Sequence, residues 1–379
     1  MILRHKLSPS LLITLGSCLY AQGLKPVVPG VEWERVAKAE AVGYSTAKLE
    51  ALRNWLKTQV TKSMVVVVGG RVLFEYGDLK YVSKIASERK SVLAMLFGNY
   101  VASGKVNLRA TVKEIGLDDL QGFLPIEEHA TLEMLLTARS GIYHPAGETD
   151  VADEGPRRGS QPPGGFFYYN GWDFNAAGTA FEKLTGKNIY DALESDLAKP
   201  LGMQDFDRKR QKKNPAVGRE TEPGKVESIH PEYAMYLSTR DMARLGLLML
   251  QDGDWGATRL MPEHWTSFMT TLVTPASELF PTSMKWAFTT GPARWGYGAM
   301  WWVWDQPRHS PTLSVGPFDG AYTAMGTGGQ YLTVLPQLDM VVSHKVEIEG
   351  DAAEEMTELE YSTILQMVIA AKCHGPCSN

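Results

Sequence analysis

Hydrophobic residues are spaced in two ways along this chain, and the two spacings fall in different places. Near both ends, apolar residues come in short β-branched or aromatic runs bounded by glycine, proline or aspartate, the mark of strands. Residues 64–68 and 71–76 are two such arms on either side of Gly69-Gly70, a hairpin signal. Residues 295–304, 321–324, 330–335 and 340–344 are four more, the last two joined by a turn at 336–339. In the middle, apolar residues recur every three to four positions, as on a helix with one buried face. Val92, Leu93, Met95, Leu96 and Tyr100 follow this spacing, as do 111–115, 132–137, 172–184 and 189–199, the last ending at Pro200. Ser238-Thr239-Arg240-Asp241 reads as a capping box ahead of 242–250, with Gly253 beyond its end. Helices are also expected at 45–62 and 352–372, after an extended lead-in at 23–43, and residues 143–165 read as a long loop. Strands at both ends with helices between them predict an α+β class. The expected form is an α/β sandwich: one antiparallel sheet from both chain ends, flanked by the first and last helices, with a large mainly helical insertion. The expected division is 23–86 with 290–379 as the sheet domain, and 87–289 as the helical one.

Charge and composition narrow the class. The chain has 379 residues, 44% of them hydrophobic, and a net charge of -5, so nothing points to nucleic acid. The one basic cluster, 208–213, reads as a solvated surface turn. At the N-terminus Arg4, His5 and Lys6 precede an apolar run, 11–19, too short to span a bilayer, so 1–22 reads as an export signal. Cleavage after Ala21 and lipidation of Cys18 both fit it, the second giving the one expected route to a membrane anchor. The expected location is therefore periplasmic or secreted. Cys373 and Cys377 remain, and in an oxidising compartment a small disulfide loop is the default. The alternative, a metal site of these cysteines with His374, lacks a fourth ligand. No metal or organic cofactor is expected.

The candidate chemistry begins at Ser87-Glu88-Arg89-Lys90, S-x-x-K at the mouth of the first insertion helix. One turn puts Ser87 and Lys90 on the same face. Free N–H groups and the positive dipole end gather there, so a serine can attack a carbonyl while an N–H steadies the oxyanion. A partly desolvated amine beside it is pushed to lose its proton, which pairs a nucleophile with a base. The pattern recurs at Ser45-Thr46-Ala47-Lys48, which reads as an ordinary helix cap with a solvated lysine. Two further segments complete the constellation. Tyr168-Tyr169-Asn170 holds the chain's one Y-x-N triplet, with the Tyr168 phenol as proton carrier and Asn170 to orient. A phenol near an ammonium is drawn toward phenolate. The second is Gly326-Thr327-Gly328-Gly329-Gln330, where glycines allow close approach of backbone and the N–H of Gln330 is the expected second oxyanion donor.

In this order and at these separations, Ser87-x-x-Lys90, Tyr168-x-Asn170 and the glycine-rich strand entry resemble the class C β-lactamase-like serine hydrolases. That superfamily also holds DD-peptidases, family VIII carboxylesterases and nylon-oligomer hydrolases. Residues 135–141, 237–244 and 328–336 resemble further segments of it, so the likeness covers about 45–370. The resemblance implies a β-lactamase/transpeptidase-like fold and an acyl-enzyme on Ser87, with Lys90 and Tyr168 as base and acid, Asn170 orienting, and oxyanion donors at Ser87 and Gln330. One departure matters. Where the β-lactamases have Lys-Thr-Gly, this chain reads Thr327-Gly328-Gly329, without the cation that would pair with a substrate carboxylate. Trp301, Trp302 and Trp304 with the aromatic cluster 166–174 suggest an apolar pocket. The expectation is a secreted serine hydrolase acting on a small ester or amide. The alternatives are a β-lactamase or DD-peptidase acting on β-lactam-like substrates, and a non-catalytic sensor of cell-wall fragments.

Overall fold

The computed structural model describes residues 27–147, 155–218, 224–281, 294–305, 316–350, 353–375 and 377. The expected export segment at 1–22 lies outside them. Seven antiparallel strands form one sheet, and the chain's two ends interleave in it. The hairpin of β1 (Thr61–Val68) and β2 (Arg71–Gly77) turns at Gly69 and Gly70, both at positive φ, as the pair predicts. The other five come from the C-terminal part: β9 (Trp295–Tyr297), β10 (Trp302–Trp304), β11 (Tyr322–Gly326), β12 (Gln330–Leu335) and β13 (Met340–Val346). The spatial order is β2-β1-β13-β12-β11-β10-β9, so β1 pairs with β13, Val66 opposite Val342. Strands β1, β12 and β13 are almost wholly buried along their length. A strand covered on both faces reads as a continuous apolar run rather than an alternation, and Val65-Val66-Val67-Val68 is such a run.

Helix α1 (Thr46–Leu56) and the last helix, α10 (Glu358–Ala370), pack against each other, as the expected flanking pair. Tyr361 of α10 stacks on Tyr331 of β12 at 3.9 Å and shares a 2.7 Å hydrogen bond with Thr333. α8 (Thr239–Leu250) packs on β13, β12 and β1. It starts where the capping signal puts it, with Ser238 Oγ accepting from Asp241 N–H. Between β2 and α8 lie β3 (Ser83–Lys84), α2 (Glu88–Ala102), α3 (Val112–Ile115), α4 (Leu132–Leu136), α5 (Gly171–Thr185), α6 (Ile189–Ala192) and α7 (Lys199–Leu201).

Several expected elements differ in extent. α1 stops at Leu56, because from Thr61 the backbone is claimed by the ladder to β13. Residues 295–304 are two short strands rather than one, since the chain doubles back at Met300, whose φ is 60°. α10 begins only at Glu358, where Thr357 and Glu360 form a capping box. Residues 189–199 divide into α6 and a π-type turn, Leu193–Ala198, and Pro200 lies inside α7 rather than beyond a helix end. The basic cluster is not all loop. Lys212 opens β4 (Lys212–Val217), which pairs with β5 (Val226–Ala234). This hairpin and α9 (Trp265–Thr270) carry no clear period and were not expected. Cys373 and Cys377 are joined by a disulfide, so the metal reading of that tail falls.

Candidate active site

Ser87 precedes the first residue of α2 and is partly exposed. Its backbone explains why it is unlike its twin. Ser45 is extended, φ -89° and ψ 117°, so its Oγ turns back to cap Lys48 N–H. Ser87 is already helical, φ -70° and ψ -12°, and its Oγ caps nothing. The hydroxyl instead accepts a 2.9 Å hydrogen bond from Lys90 Nζ, one turn on. Ala86, just before it, is held at a φ of 47°, a left-handed conformation that costs a residue with a Cβ about 1–3 kcal/mol. The turn is closed by Glu88, Arg89 and Lys90 N–H bonding back to Ile85, Ala86 and Ser87 carbonyls. The N–H of Ser87 is not used in this turn.

Lys90 is buried, and its Nζ donates a second bond, 2.7 Å, to a phenol. That phenol belongs to Tyr169, not to the expected Tyr168. The stretch before α5 is extended, so neighbouring side chains point to opposite sides, and the odd position is the one that faces the serine. Tyr169 packs on Phe174, Tyr297 and Trp302, and Lys90 Nζ sits over the Tyr169 and Phe174 rings at 4.2 and 4.5 Å. Burial pushes the phenol up to about 12, with its bond to Ser87 and the Arg89 charge pulling the other way. The resting group is therefore a neutral phenol, not the phenolate the lysine alone suggests. Of the three tryptophans, Trp302 packs beside this phenol. Trp301 packs on Tyr322, and Trp304 on Trp295 and Phe318, away from it.

Asn170 does not reach the lysine. It is the N-cap of α5: its Oδ1 accepts from Asp173 N–H and its Nδ2 donates to Tyr168 O. Gln330 is the first residue of β12, fully buried, with its side-chain amide donated to Val346 O. Gly328 and Gly329 form the turn before it and press on Ile348, Val346 and Met356. The part of this stretch that meets the serine loop is Gly326, at the end of β11. A Cβ there would lie 2.5 Å from Ile85 O and 3.2 Å from Ala86 Cβ. Thr327, next to it, is exposed. Tyr169 was missed by sequence reasoning, and Gly326, though part of the glycine-rich motif, was not singled out from it. The signal for Tyr169 was the contact side of an extended pair, which a triplet match cannot see.

No helix among the described residues is long and apolar enough to cross a membrane. The β-lactamase family profile matches residues 57–355. No curated protein matches the sequence. Among solved structures, a 6-aminohexanoate-dimer hydrolase assigned in Bacillus anthracis is similar at 17% identity and a TM-score of 0.60, covering 91% of this chain and 88% of that one. A penicillin-binding protein homologue from Caulobacter crescentus has 17% identity and a TM-score of 0.60, covering 87% and 99%. A family VIII carboxylesterase has 14% identity and a TM-score of 0.58, covering 90% and 98%.

Proposed function

From the chain's membership of the β-lactamase family, a family of hydrolases, we propose that this protein is a serine hydrolase working through an acyl-enzyme, on a small ester or amide. The observation that carries the reading is the unbroken contact from Ser87 Oγ to Lys90 Nζ to Tyr169 Oη, at 2.9 and 2.7 Å, at the start of a helix. Ser87 Oγ adds to the substrate carbonyl as its proton leaves toward the Lys90 amine. The oxyanion forms at the α2 N-terminus, where the N–H of Ser87 and the β11 edge at Gly326–Thr327 are the candidate donors. One such donor contributes about 3–4 kcal/mol in comparable sites. The proton then passes through Tyr169, which can accept from lysine and donate to the departing oxygen or nitrogen. Water, deprotonated by the same pair, attacks the acyl-serine and releases the acid, and Ser87 regains its proton.

The substrate class rests on what faces the serine. Strand β11 reads Tyr-Thr-Ala-Met-Gly and offers no cation for a substrate carboxylate. This favours an uncharged acyl group over a penicillin-like one. Ser87→Ala is expected to abolish hydrolysis of p-nitrophenyl butyrate and labelling by a fluorophosphonate. Undiminished turnover by that variant removes the assignment, and nitrocefin turnover exceeding ester turnover moves it to the β-lactamases. Export, expected from the N-terminal segment, is part of the same proposal and is tested by fractionating cells that express the full chain.

A further inference from the structure

Between the serine and the lysine stand Glu88 and Arg89, both charged and both buried. A buried charge is costly unless it is paired, so the partners of Arg89 carry information. Arg89 lies about 100° around the helix axis from Lys90, and its guanidinium meets α5 and β5. Its Nη2 donates to Asn175 Oδ1 at 2.9 Å, and its Cζ lies 4.3 Å above the Tyr233 ring. Its Nε stands 3.6 Å from Glu232 Oε1.

Glu232 is itself buried, with its side chain 4% exposed, and it holds a second cation. Lys84 Nζ is 2.9 Å from Oε1 and 3.1 Å from Oε2. Asn214 Nδ2 donates to Oε2 at 2.6 Å. Lys84 and Arg89 bracket residues 85–88, the loop that contains the left-handed Ala86 and Ser87. One carboxylate on β5 therefore bridges the two ends of the serine loop.

Backbone strain of the kind seen at Ala86 persists only where the surroundings over-determine it. Backbone pairing supplies part of that constraint: Ser83 pairs with Leu237, Lys84 with Tyr236, and Ile85 N–H donates to Met235 O at 3.0 Å. Glu232 stands three residues before Met235, so backbone and side chain hold the loop from the same stretch of chain. The Arg89–Asn175 bond extends the tie into α5, whose lead-in carries Tyr169. An exposed ion pair contributes little, but Glu232 and Arg89 are out of water, where loss of one partner leaves the other uncompensated.

We propose that Glu232 is a positioning residue for the nucleophile: through Lys84 and Arg89 it holds both ends of the 85–88 loop, and so sets where Ser87 Oγ lies relative to Lys90 and Tyr169. The catalytic consequence rests on the serine hydrolase reading above, and the bridge rests on its own geometry.

The test uses the full chain with Glu232→Gln, Lys84→Met and the two combined. Glu232→Gln keeps the size of the side chain and removes its charge from both arms. Lys84 is 22% exposed, so Lys84→Met opens one arm at small cost to folding. Hydrogen–deuterium exchange over residues 84–90 is expected to rise about tenfold in Glu232→Gln and a few-fold in Lys84→Met, with exchange in β12 and β13 unchanged. With p-nitrophenyl butyrate, kcat is expected to fall about tenfold and a few-fold respectively, at unchanged KM. The combined variant should match Glu232→Gln alone, because both arms end on one carboxylate. Additive losses overturn the proposal, as does wild-type exchange at 84–90 in either single variant. Exchange raised equally in β12 and β13 marks general loosening and overturns it too, as does faster exchange at 84–90 with wild-type kcat. If Glu232→Gln does not fold, Lys84→Met decides alone by the same two readouts. The serine reading fails separately: wild-type protein inert to a fluorophosphonate, with exchange at 84–90 still governed by Glu232 and Lys84, keeps the bridge and loses the nucleophile.

Discussion

Tyr168 and Tyr169 are chemically identical and adjacent, yet they stand in different rooms of the protein. Tyr169 Oη takes the Lys90 bond, while Tyr168 packs on Tyr143 and Phe280. Tyr169→Phe is therefore expected to lower kcat for a p-nitrophenyl ester by about 100-fold or more, the loss usual for a positioned proton carrier. Tyr168→Phe should cost far less, and stopped-flow acylation rates of the two variants decide between them. Equal losses would return Tyr168 to the machinery. The same scale shows why S-x-x-K is ambiguous as text. Ser45 and Ser87 have the same neighbour three residues on, but only a helical φ and ψ at the serine itself frees its hydroxyl for that lysine. The left-handed Ala86 that sets up this geometry has no signature in the sequence.

At the scale of elements, the site is a meeting of α2, the lead into α5 and the end of β11. Their ends are fixed by local chemistry that is easy to read: Asn170 caps α5, Ser238 caps α8, and Gly69-Gly70 turns the first hairpin. Where the elements touch is harder to read. The glycine at the contact is Gly326, because β11 passes so close to Ile85 O that no Cβ fits. Gly326→Ala is expected to push the serine loop by a few tenths of an ångström or more. A misplacement of about 1 Å can cost about 100-fold in rate, so for this smaller shift kcat/KM should fall by about tenfold while the circular dichroism spectrum stays native. A variant with wild-type turnover would show that β11 does not hold the nucleophile. The Thr327-Gly328-Gly329 stretch attracted attention as text, but its glycines serve the β11–β12 turn and its packing on Met356 and Ile348.

For the whole molecule, the sheet is the frame, and one buried histidine in it sets an acid limit. His344 of β13 is fully buried, with Nδ1–H donated to Gly329 O at 2.8 Å and Nε2 facing Thr61 Oγ1 at 2.9 Å. Burial lowers it to about 4 from 6.5. The unfolded chain therefore takes up a proton at this residue before the folded one does. Its contribution is full above pH 6.5 and is lost as pH falls from 6.5 toward 4. The difference between the two states corresponds to about 3 kcal/mol at the lower end. Urea unfolding midpoints measured from pH 7 down to pH 4.5 should fall, and His344→Gln should flatten that slope. An unchanged slope in the variant would place the acid sensitivity elsewhere.

The sequence by itself determined the class of the fold, the pairing of its two ends in one sheet and the serine–lysine turn, because each rests on local period, caps and turns. It also narrowed the third group to a two-tyrosine segment. Only the tertiary structure decided which tyrosine faces the lysine, which glycine meets the serine loop, and that Asn170 serves a helix cap. These depend on which side of an extended strand meets another element, and a shift of one residue reverses that side without changing the composition of the segment.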